Sequence, residues 1–83
     1  MKIDWKNAYM GILRGLATGA RLAGLEERAK AIEKVIAGIE SGHNVDKHME
    51  GIAIAVASDD PNDWADVTRR INEHGDEFQR PAQ

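Results

Sequence analysis

Apolar and small residues recur along the chain with the three-and-four spacing of helical turns, in four blocks separated by turn-forming residues. In the first block Trp5, Tyr9, Ile12, Leu16, Gly19 and Ala23 follow 4-3-4-3-4 spacing and predict a helix over residues 5–22 with these positions as its packed stripe. Leu13, Ala17 and Ala20 widen the apolar arc on one side, while Gly11 and Gly15 flank it on the other. Lys6, Asn7, Arg14, Thr18 and Arg21 lie largely away from the stripe. Gly24 is placed to end the helix in a left-handed conformation, with Leu25 folding back as the accompanying apolar contact; the alternative is a helix running straight through Gly24.

The second block, residues 25–41, spaces Leu25, Ala29, Ile32, Ile36 and Ile39 as 4-3-4-3 and crowds glutamates into the first turn, where they suit the helix dipole. "SGHN" closes it, with Gly42 as terminator and Asn44 as the cap of the next helix. The third block is ambiguous, because "IAIAVA" alternates as a strand does. Val45, Met49, Ile52 and Val56 also fit helical spacing, and a lone strand would find no partner in this chain, so a helix is expected. "SDDPND" is a strong turn signal. Asp63 can cap a fourth helix, with Asp66 three residues on, and Trp64, Val67, Ile71, His74 and Phe78 continue its stripe. Gly75 is expected to fray its end, and "QRPAQ" reads as a loose tail. The pattern predicts an all-α fold: a compact bundle of about four short helices, one domain over residues 1–79, with residues 80–83 as tail.

Gly11, Gly15 and Gly19 stand out because each glycine costs a helix interior about 1 kcal/mol relative to alanine. Small residues every fourth position let two helix backbones approach closely. The glycines are therefore expected to form a packing groove, filled either by another helix of the same chain or by a helix of another. A phosphate loop is excluded, since neither the preceding strand nor the G-K-[ST] ending is present.

Composition narrows the classes further. An 83-residue chain buries only about 60–65% of its unfolded surface, so close packing or oligomerisation must support it. There is no cysteine, which removes disulfides and thiolate chemistry and fits a reducing cytoplasm. Asp4, Lys6, Arg14 and Arg21 interrupt the first apolar run, so neither a secretory signal nor a spanning helix is expected. The net charge of −3 conceals an asymmetry: residues 1–39 carry seven Lys/Arg against four Asp/Glu, residues 40–83 four against ten. That polarity points to pairing between the halves or to head-to-tail contact between chains.

Candidate chemistry is sparse. His43 and His48 lack the i,i+4 spacing of a zinc site, and His74 falls on an apolar stripe, so no metal or other cofactor is expected. Ser41 and Ser58 sit at helix ends, where serine commonly caps, and no nucleophile elbow is present; no enzymatic activity is expected. Arg14, Arg21 and Arg28 recur every seven residues and would form a basic stripe if the first two helices were continuous, the arrangement a small DNA-binding regulator would need. The acidic chain argues against nucleic acid. Asp59, Asp60, Asp63 and Asp66 form an acidic surface that could occupy a basic groove on a partner, although capping and solubility account for such residues equally well.

In its size, acidity, lack of cysteine and all-helical pattern, the chain resembles the small accessory proteins of bacteriophages and mobile elements, including inhibitors of the anti-CRISPR type. The resemblance implies a bacterial cytoplasm and a protein partner, and carries no site residues. The expected function is a non-enzymatic helical module that binds a host protein or itself, with a DNA-binding regulator or a virion or assembly component as alternatives. Its contact surface would be the four acids or the first helix around Tyr9, Arg14 and Gly15.

Overall fold

In a computed structural model the described residues are 5–74, with side chains from residue 7 onward. They form α1 (Trp5–Leu22), α2 (Glu26–Glu40), α3 (Asp46–Ser58) and α4 (Pro61–His74). No strand occurs among them, and "IAIAVA" lies within α3. Alanine-rich helix propensity and a buried Ile52/Ala55 contact face decide the ambiguity there. Gly75, Phe78 and the tail at residues 80–83 lie outside the described residues.

The bundle is organised around α2, which packs against α1 and α4, while α4 in turn carries α3. Its central place explains why α2 buries a wide arc, Ala29, Ala31, Ile32, Val35 and Gly38, instead of the narrow predicted stripe. Leu25, expected on that stripe, is 41% exposed. Leu13, Ile32, Val35 and Ile71 are the most deeply enclosed large side chains, and Ala17, Val45, Ile52, Ala55 and Trp64 complete the same core.

Two glycine terminators set the connections. Gly24 adopts φ +79°, and the Gly24 and Leu25 N–H groups donate to the Arg21 and Ala20 carbonyls at 3.1 and 2.8 Å. Gly42, also at +79°, repeats the arrangement: its N–H donates to Ile39 and that of His43 to Gly38. Both ends are Schellman motifs, in which a left-handed residue turns the last orphan carbonyls toward new donors. The chain breaks at Gly24, and the continuous-helix alternative is excluded.

Three details depart from expectation. The inner face of α1 consists of Met10, Leu13, Ala17 and Ala20, whereas Ile12 is 59% and Tyr9 47% exposed. Polar side chains occupy a narrow arc of this helix, so apolar spacing alone could not select which apolar face turns inward. The cap of α4 is Asp60, not Asp63: its Oδ1 accepts the Asn62 N–H at 2.8 Å, and Pro61 opens the helix where a missing N–H costs nothing. In α3, Asn44 Oδ1 accepts the Asp46 N–H at 3.1 Å, but the capping position itself falls to Val45, and Val56 is half exposed instead of buried.

A candidate docking groove centred on Trp64 and Arg28

The α2–α4 packing opens a concave surface. Trp64, in the first turns of α4, is nearly buried with one face of its ring covered by Arg28 of α2, whose guanidinium carbon stands 4.4 Å from the ring centroid. A guanidinium over an indole face contributes about 0.5–2 kcal/mol, depending on desolvation. Around this pair lies a groove of 710 Å³, bordered by Leu25, Glu27, Ala65, Thr68, Asn72 and Glu73. A smaller extension of 230 Å³ continues past Leu25, Arg28 and Trp64 to Gly15, Leu16, Gly19 and Ala23 of α1. Together they form one path across three helices.

Polar contacts brace its walls. Asn72 Nδ2 donates to the Glu27 carbonyl at 3.3 Å, and Lys34 Nζ donates to the Asn72 carbonyl at 3.3 Å, tying the C-terminal part of α4 to α2. Glu27 also faces Lys30 at 3.7 Å. Glu26 and Glu73 make no ion pair among the described residues, and both border the groove. An apolar floor with acids at its edge accepts a greasy anchor flanked by a cation.

The sequence-predicted residues are dispersed. Arg14 pairs with Glu40 at 3.2 Å, and Arg21 Nε donates to Glu33 Oε1 at 2.8 Å, both across the α1–α2 seam. Arg28 belongs to another helix and turns to Trp64. The basic stripe does not form, and with it goes the arrangement that carried the DNA reading. Each of the four acids also has a local setting. Asp59 takes a left-handed conformation (φ 52°) as the last cap of α3, and its N–H donates to the Ala55 carbonyl. Asp60 caps α4, Asp63 lies in its first turn, and Asp66 holds Arg69 at 2.7 Å and Arg70 at 3.1 Å. Their work is local.

Gly11, Gly15 and Gly19 lie on the outward side of α1, and a Cβ built on any of them meets nothing within 4 Å. Among the described residues no helix of the same chain packs over them, which corrects the intrachain expectation. Trp64 and Arg28, read from the sequence as a core residue and part of a charge stripe, are the groove's centre. Only their pairing across α2 and α4 reveals that role, and the sequence separation hides it. Among the described residues no three His, Asp or Glu side chains converge on a metal-sized site, and no helix is long and apolar enough to cross a membrane.

The fold and groove define a small all-α protein with a concave apolar surface. Comparison with known proteins finds no matching family, no similar curated protein and no similar solved structure.

Proposed function

We propose that the chain is a non-enzymatic protein-binding module that docks on a larger protein through the Trp64–Arg28 groove. The observation that carries this reading is the braced apolar groove with Glu26 and Glu73 unpaired at its edge. The preferred ligand is a protein segment presenting an apolar side chain beside Lys or Arg, held by burial of the apolar group and by the edge carboxylates. The likeness to phage accessory proteins directs the search to a bacterial host protein, with inhibition of a defence protein as the corresponding role.

The test is capture from bacterial lysate on the immobilised full chain, followed by identification of what is retained. Ala65→Arg projects a long cation into the groove from an exposed position and should abolish retention; Lys47→Ala, on α3, should leave it intact. A protein retained equally by the parent and by Ala65→Arg would reject the groove as the contact surface.

A further inference from the structure

The walls of the groove decide the conformation of what it takes. α2 and α4 face it and α1 closes its extension, and a helix bonds its interior backbone groups to itself, so no strand edge is offered to an incoming chain. A segment laid over an apolar floor must then satisfy its own N–H and C=O groups, and a helix does so. Length follows from the path. From Trp64 to Glu73 the groove follows nine residues of α4, about 14 Å, and the step across to Gly15 and Gly19 adds one interhelical spacing of about 8–10 Å. A helix of about 15 residues, four turns, covers that distance.

The two ends of the path differ in charge. Glu26 and Glu73 border the main groove, are exposed and make no ion pair among the described residues. The cations beside them are engaged: Arg28 lies against Trp64, and Arg69 is held by Asp66 at 2.7 Å. Glu27 has Lys30 at 3.7 Å. The extension differs, since Arg28 is the one charged side chain lining it among the described residues. Its far wall is notched. A Cβ built on Gly15 or Gly19 meets nothing within 4 Å, and the two residues lie one turn apart, so the notch is open along α1.

We propose that the partner of this groove is a basic amphipathic helix of about four turns, with Lys or Arg at the Glu26–Glu73 end and a bulky apolar side chain at the Gly15–Gly19 end. The inference rests on the docking role proposed above for the same groove and adds the conformation, charge sign and register of what docks. Apolar residues of the partner at i and i+4 turn toward the floor, over Ala65 and the Trp64–Arg28 stack. Its cations meet the two unengaged carboxylates, whereas an acidic helix would bring like charges to them. Two glycines that weaken α1 by itself thereby acquire a use: their missing side chains leave room for a large residue of the partner.

The experiment is selection of a random library of 16-residue peptides on the immobilised full chain, with Ala65→Arg as counter-selection. Peptides enriched on the parent and lost on Ala65→Arg should carry apolar residues at i and i+4 together with Lys or Arg, and should gain helical circular dichroism on binding. Glu73→Lys should weaken them about tenfold and flatten their salt dependence. Gly19→Leu fills the notch and should also weaken them about tenfold, with the circular dichroism of the free chain unchanged because space there is open. Peptides that depend on Ala65 but are acidic, rich in proline or strictly alternating overturn this inference and leave the groove as a docking site. Helical peptides indifferent to Gly19→Leu overturn the proposed register. Enrichment that Ala65→Arg does not abolish, or none at all, rejects the groove itself and this inference with it.

Discussion

Replacing Gly15 and Gly19 by alanine isolates the cost of glycine in α1. Both positions lie inside the helix, and the added methyl groups meet no atom within 4 Å, so neither overpacking nor a new contact enters the balance. What remains is helix propensity, worth about 0.8–1 kcal/mol for each glycine replaced. For the 70 described residues, an unfolding entropy of about 2.1 cal/mol/K per residue gives about 0.15 kcal/mol/K, so each substitution should raise the melting temperature by about 6 °C. The assay is thermal denaturation followed by far-ultraviolet circular dichroism. Gly24→Ala is the internal control. Space is equally open there, but φ is +79°, and forcing a side chain into that conformation costs about 1–2 kcal/mol, so its melting temperature should fall. A fall on Gly15→Ala or Gly19→Ala would refute the reasoning, because it would mean that some part of the fold already occupies the space over those glycines.

Adjacent residues test which seam is buried. Leu13→Ala, at a 1% exposed position, should cost about 2–5 kcal/mol in urea denaturation, whereas Ile12→Ala, 59% exposed, should change stability by about 0.5 kcal/mol or less. Equal losses would reject the assignment of the inner face. Asp60→Ala removes the oxygen that accepts the Asn62 N–H and should lower stability by about 1 kcal/mol, while Asp63→Ala should cost less; the reverse order in the same assay would restore Asp63 as the cap.

The four helices, their order and their breaks were legible in the sequence because each is set locally. Gly24 and Gly42 supply a left-handed turn that other residues adopt only with strain, Pro61 marks the turn between the third and fourth helices, and apolar spacing of three and four excludes a strand wherever no partner strand exists. Which face of each helix points inward was not local. The first helix offers greasy positions nearly all round, and the choice of Leu13 over Ile12 was made by where α2 lies, drawn against one side by burial and by the arginine pairs with Glu33 and Glu40. The groove depended still more on the tertiary structure. Arg28 and Trp64 are far apart in the chain, and their stacking follows from α2 and α4 crossing at that level. Local rules act over one or two turns, within reach of hydrogen bonds and backbone preference. The choice of buried face minimises exposed apolar area over the whole bundle at once, and no short segment contains that information.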